Sequence, residues 1–318
     1  MNILLSLLFV LFAHGAEKEY NFVVAADGSG DFTTVQAAIN AVPDHRKADT
    51  TRILVRRGVY KEKLVVAESK QNVKLVGEDG TVITYDDYAS KPNIFGENMG
   101  TSGSASVYIF GPGFTAVNIT FENSAGSVGQ AVACHVAADK VVFRHCRFLG
   151  FQDTLYTFGE GTREYYEDCY IEGTVDFIFG KAEAVFNRCV LYSKRTGGYL
   201  TAPATPEGQP YGYVFYDCKL EAADSVARGS VWLSRPWRPY AKAVFIRCDM
   251  GQQIRPEGWH DWGRASNHQT AFYAEYQCTG KGADTTKRVA WSHQLQSLDG
   301  YDMKQVLAGN DGWNPLNQ

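Results

Sequence analysis

The sequence predicts an all-β chain wound as a parallel β-helix, on three observations. A short motif recurs five times, in Phe143-Arg-His-Cys-Arg-Phe148, Tyr166-Glu-Asp-Cys-Tyr-Ile171, Phe186-Asn-Arg-Cys-Val-Leu191, Phe215-Tyr-Asp-Cys-Lys-Leu220 and Phe245-Ile-Arg-Cys-Asp-Met250. Each copy reads apolar, two residues, Cys, one residue, apolar, and successive cysteines stand 23, 20, 29 and 30 residues apart, the period of a solenoid coil. No long amphipathic helix separates the copies, and the composition (31 Gly, 18 Tyr and 18 Phe in 318 residues) favours strands joined by tight turns. A leucine-rich solenoid would need an L-x-x-L-x-L pattern, which is absent.

The elements follow in order. Met1 to Phe12 is apolar apart from Asn2 and Ser6, and is followed by small Ala13, Gly15 and Ala16 and then charged Glu17-Lys18-Glu19. That run is too short to cross a bilayer and suits a secretory signal over residues 1–16. Residues 17–318 then form one β-helix domain of a secreted or periplasmic protein. No later segment is apolar enough for a membrane, so no membrane contact is expected after signal cleavage. Thr33 or Thr34 caps a short helix over Val35 to Val42, stopped by Pro43, which would cover the first coil and its open sheet edge. Val73 to Val76 and Val117 to Phe121 add earlier rungs. From about Thr279 the repeat is lost, and a helix is expected at Asp302 to Leu307. With both ends capped, a monomer is the default. The Asn118-Ile-Thr120 sequon falls on a predicted strand, which argues against its glycosylation.

Seven cysteines are an odd number with no C-x-x-C pair, so neither a zinc site nor a redox motif is indicated. If the five motif copies stack, their cysteines form an internal ladder of small apolar side chains, reduced rather than disulfide-bonded. Hydrophobic residues make up 45% and charged residues 21%, a globular balance. The net charge of −4, without a basic block, excludes a nucleic-acid partner.

The repeat also aligns chemistry. Asp153 lies seven residues beyond Cys146, and Asp176 seven beyond Cys169. Stacked cysteines therefore imply stacked aspartates on neighbouring rungs, about 5 Å apart at the backbone. At an effective dielectric near 20 their repulsion is about 3 kcal/mol, enough to separate the pKa values by roughly two units. Such a split pair supplies an acid and a nucleophile in one place. The alternative is that one aspartate caps a turn while the other sits in solvent. Asp176, however, lies in the apolar run Val-Asp-Phe-Ile-Phe, where an unpaired charge is costly. Arg235, in Trp232-Leu-Ser-Arg-Pro-Trp237, is the candidate partner. Gln130 and Gln152, 22 residues apart, add neutral amide donors suited to an oxyanion.

Other chemistries lack their signatures. There is no G-x-S-x-G elbow and no H-E-x-x-H, and His135 and His145 read as core or surface residues. Trp259 and Trp262 flank His260-Asp261 in a loop that either walls a sugar groove or packs upon itself.

These residues resemble the pectin methylesterase family. Gly58-Val-Tyr-Lys-Glu62, Gln130-Ala-Val132, Gln152-Asp-Thr-Leu155, Asp176-Phe-Ile-Phe-Gly180 and Leu233-Ser-Arg-Pro-Trp237 match it in order. Ser234 stands where the family pattern has Gly. The resemblance implies a right-handed β-helix that hydrolyses methyl esters of homogalacturonan (pectin) without a metal or organic cofactor. It implies Asp176 as nucleophile, Asp153 as acid and base, Gln130 and Gln152 as the oxyanion hole, and Arg235 as the partner of Asp176. Trp237, Tyr156 and Phe179 would contact the sugar, and Thr101 would line the same groove. A β-helical lyase or glycoside hydrolase, or a non-catalytic carbohydrate-binding solenoid, are the alternatives; methanol release without chain shortening separates the esterase from all three.

Overall fold

Short runs of β-branched and aromatic residues become strands that pair with their counterparts one repeat later. This is seen in a computed structural model, which describes residues 19–47 and 49–317. The expected signal segment, residues 1–16, lies outside the described residues. The strands form three parallel sheets of 11, 8 and 7 strands, so the chain is a parallel β-helix as expected. One coil shows the plan. Val141–Arg144 lies in the first sheet, Arg147–Leu149 in the second and Leu155–Thr157 in the third, and Arg163–Glu167 returns to the first sheet one rung on.

The recurrent motif has a physical meaning at each position. Its first residue is an aromatic rung inside the solenoid: Phe143, Tyr166, Phe186, Phe215 and Phe245 stack with centroid separations of 5.1, 4.7, 4.6 and 4.4 Å. Pairs of this kind contribute about 0.5–1.5 kcal/mol each beyond their burial. The residue before each cysteine turns the corner with positive φ, at His145, Asp168, Arg188, Asp217 and Arg247. Non-glycine residues rarely adopt this conformation. Here each corner N–H stays paired across the rungs; that of His145, for instance, donates to the Glu167 carbonyl at 3.0 Å. The cysteines then point inward, buried and free, and Cys278 extends the ladder beyond the five motif copies. Each Sγ lies near a carbonyl of the preceding coil, as Cys169 does with Phe143 at 3.5 Å. The reduced ladder is therefore what the fold contains.

Asn118 occupies an exposed corner of the same kind, with φ 56°, and not a strand. The strand expectation there is corrected: the segment Val117 to Phe121 is broken at this turn, and the Asn118 amide is tied to the Gly77 carbonyl at 3.0 Å.

The N-terminal helix spans Val35–Ala41, with the Thr34 hydroxyl capping Ala37 N–H at 3.2 Å. Glu62 accepts the two N–H groups of Val35 and Gln36 at 2.8 and 2.9 Å, and Val35, Ala38 and Ile39 join the interior core. At the other end Ala283, Val289 and Trp291 pack against that core. The last helix, Met303–Ala308, is capped by Asp302. It does not close the end of the solenoid. It lies along the outer face of the first sheet, where Val306, Leu307 and Trp313 cover Val142, Tyr165, Val185 and Val214.

Inside the solenoid Glu164 is fully buried, with one oxygen lacking a partner among the described residues and the other accepting from the Tyr166 hydroxyl at 2.5 Å. Burial pushes its carboxyl well above the usual range, so the folded protein keeps it protonated while the unfolded chain ionises. Its contribution to stability is therefore present below the unfolded pKa of about 4.3 and lost as pH rises above it. Glu164→Gln is expected to raise the melting temperature relative to the parent more at pH 8 than at pH 4. A difference that stays constant with pH would contradict a neutral Glu164.

Candidate active site

The two aspartates sit at the turn from the second sheet into the third. Both have positive φ, 66° for Asp153 and 50° for Asp176, a conformation that Asp tolerates better than most residues. The turn is tight. A Cβ added at Gly173 would come within 2.5 Å of the Phe151 carbonyl oxygen, so only glycine fits ahead of Asp176. Leu155 pairs with Ile178 in register, which places Asp153 and Asp176 at equivalent positions of consecutive rungs. The common seven-residue offset from the cysteines thus stacks the two acids.

Both aspartates are buried, each residue 7% exposed, and Arg235 reaches only one of them by hydrogen bond. Its Nε donates to Asp176 Oδ1 at 2.9 Å, and its Nη2 donates to Oδ2. Two aromatic faces fix the guanidinium, with Tyr199 at 4.4 Å and Trp262 at 4.5 Å from its carbon. Tyr199 in turn bonds His260 Nδ1 at 3.1 Å. Trp262 has φ 57°, an unusual conformation for so bulky a residue and one that recurs at functional sites.

Burial pushes both acids above the usual carboxylate range. For Asp176 the hydrogen bonds and charge of Arg235 oppose this. For Asp153 the charge of Asp176 adds to burial and only the more distant charge of Arg235 opposes them, so its carboxyl lies well above the ordinary value. The asymmetry leaves Asp176 as the member that ionises first and Asp153 as the member that keeps its proton.

Gln130 and Gln152 are joined by a parallel bridge and so stand one above the other, Gln130 exposed and Gln152 half-buried. The outward column of the third sheet supplies an aromatic floor. Tyr108, His135, Tyr156, Phe179 and Ala202 occupy successive rungs, with Tyr156 and Phe179 stacked at 4.1 Å. Trp237 leans on both rings at 6.1 and 5.8 Å. His135 lies between Tyr108 and Tyr156, and burial pushes it down to about 4; it is a neutral spacer in the stack. Thr101 lies in the short helix Gly100–Gly103. A cleft of about 450 Å³ brings together all nine residues singled out from the sequence: Thr101, Gln130, Gln152, Asp153, Tyr156, Asp176, Phe179, Arg235 and Trp237.

A family model described as Pectinesterase matches residues 21–308. Pectinesterase 31 of Arabidopsis thaliana is 41% identical over 285 residues, covering 86% of each chain. The chain belongs to the pectinesterase family. Among solved structures, a pectin methylesterase from carrot superimposes with a TM-score of 0.83 at 35% identity, covering 93% of this chain and 95% of that one. A pectin methylesterase in complex with a hexasaccharide gives 0.80 at 31% identity, covering 94% and 99%. Pectinesterases are carboxylic ester hydrolases that remove methyl esters from pectin.

Two features of this pectinesterase go beyond what its motifs indicate. Ser234, at the family's glycine position, is fully buried without positive φ, and its hydroxyl donates to the Thr201 carbonyl at 3.3 Å. The strand Trp232–Ser234 keeps its register with Tyr199–Pro203, so the substitution leaves Arg235 in place. The two loop tryptophans divide their roles. Trp259 is buried in the core with its Nε1 donating to Glu275 at 3.3 Å, whereas Trp262 lines the cleft. Tyr199 was not singled out from the sequence. The signal existed, since Tyr199 follows Asp176 by the same 23 residues that separate Asp176 from Asp153.

Proposed function

We propose that this chain demethylates homogalacturonan in the cleft over the third sheet, with Asp176 as nucleophile and Asp153 as general acid and then base. The supporting observation is the unequal environment of two stacked carboxylates, one held through both oxygens by Arg235 and the other without a hydrogen-bonded cation among the described residues. Asp176 attacks the ester carbonyl carbon, and the amides of Gln130 and Gln152 donate to the developing oxyanion. The C–O bond to the methoxy group breaks as Asp153 passes its proton to departing methanol. Asp153 then takes a proton from water, whose oxygen attacks the substrate carbonyl of the anhydride. Carboxylate product leaves and Asp176 is regenerated. Tyr156, Phe179 and Trp237 present apolar faces to the sugar rings, and Thr101 completes the cleft lining. The apolar start of the chain supports export to the periplasm or outside, and the mature protein acts as a monomer in this reading.

An assay of methanol and chain length on methylated polygalacturonate tests the function. Methanol without new reducing ends is the expected result, and chain cleavage would refute it. Gln152→Ala is expected to lower kcat by about 10²–10³ with little change in KM, because the amide acts on charge that exists only in the transition state. A pure KM effect would remove Gln152 from the oxyanion role.

A further inference from the structure

On the outer face of the first sheet, beside Trp313 of the C-terminal segment, lies a groove of about 380 Å³. Arg52, Lys74 and Thr115 line it as register neighbours on three consecutive rungs, with Lys140, Arg144 and Trp313 along one side. The charges do not balance. Lys140 pairs with Asp311 at 2.7 Å, and Arg163, which shares Asp311, has Asp139 as well at 2.7 Å, so that set is neutral. Arg144 pairs with Glu167 at 2.7 Å, and Arg188, which shares Glu167, has Asp168 as well at 2.8 Å, so the excess lies with Arg52 and Lys74. Among the described residues no carboxylate pairs with Arg52 or Lys74. Lys74 is half-buried; burial, then the charges of Arg52 and Arg144, hold its ammonium below the usual lysine range. Like charges on adjacent rungs destabilise a sheet, and this chain carries them although its net charge is −4. A bound anion would relieve the repulsion.

We propose that this groove is a second carbohydrate site that binds a carboxylate-bearing sugar chain, on a different face of the solenoid from the catalytic cleft. The choice of a de-esterified uronate chain rests on the proposed esterase function, whose product carries such carboxylates. Arg52 and Lys74 stand on adjacent rungs about 4.8 Å apart, a spacing that suits successive carboxylates of a linear polyanion. The Thr115 hydroxyl suits a sugar hydroxyl.

The test is calorimetric titration of the whole protein with fully de-esterified oligogalacturonate, with inorganic phosphate in a parallel arm. The parent is expected to show two classes of site, and Arg52→Gln/Lys74→Gln to weaken one of them on the order of tenfold. Methanol release from a short methylated galacturonate should be unchanged in that variant. Its melting temperature should be equal or higher, since unpaired like charges are removed. If the double variant melts early, Lys74→Gln alone carries the same comparison. An unchanged isotherm in a folded variant would overturn the proposal, as would equal filling of the site by phosphate. Failure of the esterase reading would appear separately, as absence of methanol release from the parent.

Discussion

Asp176→Asn is expected to lower methanol release from methylated polygalacturonate by about 10⁴-fold or more while the protein stays folded. The amide keeps the shape of the carboxylate and can still accept from Arg235, but it cannot form the anhydride. Asp153→Asn should be similarly inactive, because it removes the proton donor for methanol and the base for water. Stability should move the other way. Asp153 has a folded pKa raised by burial and by Asp176, so its contribution to stability is present below the unfolded pKa of about 3.9 and lost as pH rises through the folded value. Asp153→Asn is therefore expected to melt at an equal or higher temperature than the parent near pH 7. Methanol assays and melting curves on the two variants check this. Near-full turnover in either would remove its assigned role, and a lowered melting temperature for Asp153→Asn would contradict the raised carboxyl.

Removing Arg235 should have the next largest effect. Arg235→Gln leaves a buried carboxylate without its bidentate partner, a loss typically of about 3–5 kcal/mol. The Asp176 carboxyl then moves further above its unfolded value. Since the nucleophile must be ionised, the acid limb of the kcat/KM profile is expected to shift to higher pH, with kcat/KM near neutrality down by about 10²–10³. The linkage has a definite sign. A folded pKa raised further costs stability as pH rises above the unfolded value, so Arg235→Gln should be destabilised more at pH 8 than at pH 5. Arg235→Lys restores charge but not the two parallel hydrogen bonds or the sandwich between Tyr199 and Trp262, and should recover only part of the rate. An unmoved acid limb in Arg235→Gln would show that the guanidinium does not set the state of Asp176.

Much of this site is legible in one dimension because a solenoid converts sequence intervals into spatial neighbours. Cys146 and Cys169 locate the register, and the common offset of seven residues carries Asp153 and Asp176 with it. The bridge between Gln130 and Gln152 follows from the same period. The reading fails where a residue's role depends on the corner and not the interval. Asn118 looks like part of a strand because its neighbours are β-formers, yet it adopts φ 56° at the bend between two sheets. The C-terminal helix was expected at nearly its observed place, but no periodicity reveals that it lies along the side of the solenoid rather than across its end.

The chain by itself determined the fold class, the spacing of the coils and the stacking of the two acids, since these depend on local hydrophobic pattern and on backbone pairing between adjacent repeats. Only the tertiary structure decided how those acids differ. The sequence names Arg235 as candidate partner of Asp176, and the structure shows it bonding both oxygens of Asp176 and neither of Asp153. Trp262, from a loop outside the repeat, closes over the guanidinium while Trp259 turns into the core. Burial and partner charge act through space over a few ångströms, and a pKa follows from that neighbourhood, which no interval along the chain encodes.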